Sequence, residues 1–201
     1  MEYDPRRNDH GLPRDPFKSL VAPRPIGWIS SVNREGVTNL APYSFFNALC
    51  DHPHLVMFAS LDRKDSQANA EDTGEFVCNL ATYALRDAMN RSSAPAPHGV
   101  SEFDLAGLEA APSRKVTPPR VAASPVALEC VYLQTIAPRD VDGEKARYEV
   151  VIGQVVHIHI DDNLIVDGFV DLTKAEPIAR CGYMQYAHVT SLFELDRPTK
   201  V

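Results

Sequence analysis

Between Arg24 and Asn69 the chain gathers two polar clusters joined by a hydrophobic stretch. The second cluster, Ser60 to Asn69, sets the basic pair Arg63-Lys64 beside the hydroxyls of Ser60 and Ser66, where a loop opens a helix. Free N–H groups and the macrodipole at such a helix start favour an anion. Arg63 offers a planar fork to phosphate oxygens, Lys64 a point charge and the serines neutral donors. The first cluster, Thr38 to Asn47, combines Asn and Ser side chains with a backbone that Pro42 keeps out of a full ladder. Such groups suit a flat ring with an edge of donors and acceptors and an apolar face. A phosphate at one end and a flat polar ring at the other describe a flavin mononucleotide (FMN). Each cluster taken alone also suits a plainer role: an Asp-capped surface helix with two solvated cations, and an edge strand interrupted by proline.

These side chains need elements to hold them. Residues 26–32 read as a strand, 33–36 as a turn with Gly36 free to take positive φ, and 37 onward as the partner strand. Residues 51–54 break the chain, and 55–59 form a short, fully apolar run that suits a buried strand. A helix over 66–73 closes at Gly74, followed by a strand over 75–80 and a helix over 83–91. The Pro-rich stretch 93–125 reads as loop, and a loop of that length in a compact domain is usually functional. The longest strands are 126–136 and 147–160, with a turn at 140–143 between them, and a last strand runs over 188–195. Residues 1–16 form an N-terminal arm and 17–201 one domain. Strands joined by short turns argue for a mainly β, closed antiparallel sheet with a few helices outside it. No Gly-rich loop follows a strand, which speaks against a Rossmann domain.

The net charge of −7 argues against nucleic-acid binding, and the apolar runs are too short to span a membrane. The 201 residues, 44% hydrophobic and 23% charged, suit one ordinary globular core. The four cysteines form no C-x-x-C pair, and the polar N-terminus lacks a signal sequence, so free thiols in the cytoplasm are expected. His157 and His159 share a strand face, and His52 and His54 have the same spacing, yet neither pair has an acidic or Cys partner suited to a metal. Arg180 is able to reach a phosphate or carboxylate, and Tyr183 to cover an aromatic ligand; both also suit surface and packing roles. No hydrolase elbow or activated thiol is visible.

The order of several segments resembles the flavin reductase-like, FMN-binding split-barrel family. They are Arg24 to Ser31, Thr38 to Asn47, Lys64 to Asn69, Thr73 to Leu80, Val100 to Phe103 and Ala106 to Leu108. The resemblance covers roughly residues 17–195. It implies a six-stranded antiparallel Greek-key split barrel with peripheral helices, a homodimer, and FMN sites near the dimer interface. By position, Asn39, Ala41, Ser44 and Asn47 line the ring, with Thr38, Leu40 and Pro42 in the same run. Ser60, Arg63, Lys64, Ser66 and Asn69 hold the phosphate, while Asp65 caps the helix or orients a cation. Family reductases pass a hydride from NAD(P)H to flavin N5, so no acid–base residue is demanded of the protein. On this reading the nicotinamide stacks over the flavin, with 93–100 and His98 as one wall, and a partner oxygenase is one destination for reduced flavin. The alternatives are an FMN-containing electron carrier without nicotinamide activity and a non-enzymatic β-barrel binding module.

Overall fold

The computed structural model describes residues 1–96 and 100–198. Seven strands build the main sheet: β1 (Gly27–Val32), β2 (Thr38–Tyr43), β3 (Phe46–Asp51), β4 (His54–Leu61), β5 (Glu75–Leu80), β6 (Val126–Ile136) and β7 (Tyr148–Ile160). Their order is β2-β1-β5-β6-β7-β4-β3, and every neighbouring pair is antiparallel. The first and last strands of that order, β2 and β3, follow each other in the chain and are separated only by Ser44 and Phe45. The sheet therefore curls into a half-barrel whose two edge strands are consecutive in the chain. The expected six strands become seven because one long strand bends at Ser44-Phe45, pairing with β1 before the bend and with β4 after it.

Alternation along β1 feeds two cores. Ile29 points into the barrel with Tyr43, Val56, Phe58, Phe76, Cys130 and Val151. Ile26 and Trp28 point outward and pack with Leu40, Met89 and Phe103 under helices α2 (Arg86–Arg91) and α3 (Glu102–Ala106). Both faces of β1 are covered, and all its residues are buried. Gly153 on β7 makes room for the buried Phe76 ring: a Cβ there would lie 2.4 Å from Phe76 Cζ.

Helix α1 (Asp65–Thr73) ends on Gly74 at φ 79°, as the sequence predicts. The 83–91 helix starts only at Arg86, because Thr82 bridges to Pro177 and Tyr83 donates its N–H to the Glu176 carbonyl. The last strand is Tyr186–His188, paired with Ile178–Arg180. Past Val189, whose N–H reaches the Pro177 carbonyl, the segment to 198 finds no ladder partner and has no regular structure. Residues 1–16 hold no helix or strand. No helix among the described residues is long and apolar enough to cross a membrane.

Candidate functional site

Strand β2 pairs with β1 on one side only, so its other edge is open where it splays away from β4. A cleft of about 440 Å³ fills that gap. Its walls are β2, the ends of β4 and β7, the start of α1, and residues Ser92 to Ala96.

The helix start comes first. Asp62 and Arg63 take left-handed φ values of 58° and 46°, which turn the chain out of β4 and into α1. Strain of this kind persists only where surrounding contacts enforce it. Here Arg147 pairs with Asp62 at 3.3 Å, and Arg63 Nε donates to Glu71 Oε2 at 2.8 Å. The turn separates the basic pair. Arg63 folds back along α1 to Glu71 and Asp72, while Lys64 lines the cleft. No side chain caps α1, and the N–H groups of Asp65 and Ser66 make no hydrogen bond among the described residues. Lys64 joins no ion pair among them either. Asp65 faces the cleft and orients neither cation.

A buried amide network sits beside it. Asn39 Oδ1 accepts from Ser66 Oγ at 2.7 Å and Ser31 Oγ at 3.3 Å, and Asn39 Nδ2 donates to Glu102 Oε2 at 3.0 Å. The same Glu102 oxygen accepts the Leu40 N–H at 2.9 Å, which satisfies one donor on the open edge of β2. Burial pushes the Glu102 carboxyl up, with the nearby Asp65 charge adding to it, against the lowering effect of the Leu40 and Asn39 hydrogen bonds. Tyr43 lines the cleft, and among the described residues the buried Tyr43 and Ser60 hydroxyls have no hydrogen-bond partner. Burial also raises the Tyr43 phenol. At the other end Phe45 and Tyr148 pack with ring centroids 5.2 Å apart, and the Arg24 guanidinium lies 5.8 Å over Phe45.

The structure thus gathers Asn39, Ala41, Pro42, Ser44, Lys64 and Ser66 around one cleft. The other expected residues lie elsewhere. Thr38 bonds Ser101 at 2.7 Å, and Leu40 is fully buried under α2 and α3. Asn47 is exposed on β3, Ser60 is fully buried and not part of the cleft lining, and Asn69 donates to Ser31 Oγ at 3.1 Å. Arg180 stands over Tyr186 in a separate cleft and donates to the Gly182 carbonyl at 3.1 Å. The pairing register explains much of this: Asn39, Ala41 and Tyr43 oppose Ser31, Ile29 and Gly27, on the face opposite Leu40. Sequence reasoning missed Lys18, Tyr148 and Glu102 as wall residues. Glu102 opens a short helix, Glu102–Ala106, inside a stretch read as loop; Ser101 before it, Gly107 after it and the apolar Phe103 and Ala106 are the signals that could have found it.

Among the described residues no group of three His, Cys, Asp or Glu is placed to hold a metal, and the described cysteines are all unpaired. His159 pairs instead with Asp161 at 3.2 Å.

Comparison with known proteins adds an independent line. The chain matches the family model of the flavin reductase like domain over residues 20–172. An uncharacterised protein of Halalkalibacterium halodurans is 36% identical over 185 residues, covering 89% of this chain and 88% of its own. Nitrilotriacetate monooxygenase component B from Bacillus cereus superposes with a TM-score of 0.86 at 31% identity, covering 97% of this chain and 98% of that one. The 2-nitrobenzoate 2-nitroreductase NbaA of Pseudomonas fluorescens follows at 0.80 and 28%, covering 91% and 89%.

Proposed function

The chain belongs to the flavin reductase-like family, and from that premise we propose that its cleft holds FMN and that the protein is an NAD(P)H-dependent flavin reductase. The observation that carries the reading is the uncapped start of α1: Lys64, Asp65 and Ser66 line the cleft, and among the described residues the Asp65 and Ser66 N–H groups make no hydrogen bond and Lys64 no ion pair. Those groups would hold a phosphate. Pro42, Phe45 and Tyr148 supply the flat apolar surfaces, and the open edge of β2 supplies backbone polar groups for a ring edge. The volume of about 440 Å³ lies within the usual range for small-molecule sites.

When bound, the flavin supplies the hydride acceptor at N5. The chain's own task is to bind, orient and shield, which fits a cleft without an acid–base pair set on a substrate. Ser93 to Ala96 form one wall toward which a nicotinamide stacks; Pro97, His98 and Gly99 lie outside the described residues. The monooxygenase component from Bacillus cereus supports an oxygenase as the consumer of reduced flavin. The four unpaired cysteines support a reducing, cytoplasmic setting. Exposed Val131, Leu133 and Ile136 on β6, with Val156 and Ile158 on β7, support a homodimer.

The absorption spectrum of the purified protein tests the cofactor: bound FMN gives a flavin band. Anaerobic stopped-flow mixing of the FMN-loaded protein with NADH and with NADPH tests the reaction. Bleaching faster than that of free FMN supports the reductase, and bleaching no faster with either donor makes the protein an electron carrier instead.

A further inference from the structure

The Glu102 carboxylate is divided between two environments. The hydrogen bonds it accepts from other residues, from Asn39 Nδ2 and the Leu40 N–H, both end on Oε2, and its own backbone N–H also bonds the carboxylate. Oε1 accepts no hydrogen bond from another described residue, and Glu102 lines the cleft. No described cation pairs with it; its charged neighbour is Asp65, and Asn39 links it directly to Ser66. A carboxylate serving only to tie α3 to β2 would satisfy itself with internal donors. This one keeps an oxygen that no other described residue engages, on a residue that lines the cleft together with the helix start at Lys64, Asp65 and Ser66. An ionised carboxylate repels phosphate and welcomes hydroxyl donors.

We propose that Glu102 is a ligand-binding residue whose free oxygen accepts hydrogen bonds from the hydroxyls of the ribityl chain. The assignment rests on the FMN reading, since in FMN the polyol is the part joined directly to the phosphate. It gives the cleft three chemically distinct subsites: donors at α1 for the phosphate, an acceptor at Glu102 for the polyol, and aromatic faces for the ring. It also explains why a carboxylate stands uncompensated in a site for an anionic ligand.

Glu102→Gln separates the ligand contact from the strut. Its amide oxygen still accepts from Asn39 and Leu40, while its NH₂ presents donors to the cleft in place of an acceptor. The experiment is a fluorescence-quenching titration of flavin-free wild type, Glu102→Gln and Glu102→Asp with FMN, riboflavin and lumiflavin, beside a thermal melt of each. We expect Glu102→Gln to weaken FMN and riboflavin alike by about ten- to a hundredfold, as for loss of a hydrogen bond to a charged group. Lumiflavin, which has no polyol, keeps its affinity, and the melting temperature stays close to wild type. Glu102→Asp, which keeps the charge but retracts it, produces a smaller loss in the same two ligands and covers the case in which the Gln variant does not fold. An equal loss for lumiflavin overturns the proposal in favour of a ring contact. A loss confined to FMN, or no loss in a folded variant, overturns it as well. If wild type binds none of the three flavins, the FMN reading fails and this proposal falls with it.

Discussion

Lys64 and Arg63 are adjacent in sequence and opposite in assignment. Lys64 faces the cleft, whereas Arg63 is held by Glu71 and Asp72. Replacing Lys64 by Ala should weaken FMN by about ten- to a hundredfold and leave riboflavin nearly unchanged, because one charge-assisted contact contributes roughly 1.5–3 kcal/mol. Arg63→Ala should cost less, and equally for both ligands, through the loosened turn at Asp62-Arg63. Isothermal titration with the two flavins reads the difference. Glu71 carries a second consequence at this scale. Burial pushes its carboxyl up, but hydrogen bonds from Gln67, Thr135 and Arg63, with the Arg63 charge, bring it below the ordinary glutamate value. A carboxyl lowered on folding adds stability above its unfolded pKa and loses it as pH falls through the folded one. Urea midpoints should therefore drop more steeply on acidification below the usual carboxylate range for wild type than for Glu71→Gln.

Among the elements, Gly153 shows how tightly the barrel is drawn. Phe76 is fully buried, and its ring occupies the place of a Gly153 Cβ, with the Val131 carbonyl 3.2 Å away on the other side. Gly153→Ala should destabilise the fold by about 1–3 kcal/mol, as overpacking does, seen as a lower urea midpoint at unchanged slope. Much of the element order is legible from sequence. The turn at Gly36, the C-cap at Gly74 and the apolar run into β4 are local signals that tertiary packing reinforces. Helix α3 and the short strand Ile178–Arg180 are not legible, because partners distant in sequence define them: Asn39 and Leu40 for the first, Arg24 and Pro25 for the second. The cleft divides in the same way. Lys64, Ser66 and Asn39 announce themselves by type and spacing, whereas Tyr148 joins only because β7 pairs with β4, which brings it opposite Leu61.

At the scale of the molecule, strands β6 and β7 leave Val131, Leu133, Ile136, Val156 and Ile158 partly in solvent. Exposed apolar side chains concentrated on two neighbouring strands suit a partner, and twofold dimers are the commonest answer. Multi-angle light scattering should give twice the 22.2 kDa chain mass. Leu133→Glu together with Ile158→Glu should shift the protein to monomer; a wild type that runs as a monomer at micromolar concentration removes the dimer.

The open edge of β2 has a consequence of a different kind. An unpaired strand edge is a template on which a foreign chain can add itself. Here Pro42 removes one donor, and the Glu102 carboxylate occupies another at Leu40. The remaining groups border the cleft, so whatever fills the cleft also shields them. On the proposed FMN reading, a flavin-depleted preparation is the one expected to aggregate edge to edge, and added flavin during expression should raise the yield of protein that stays in solution.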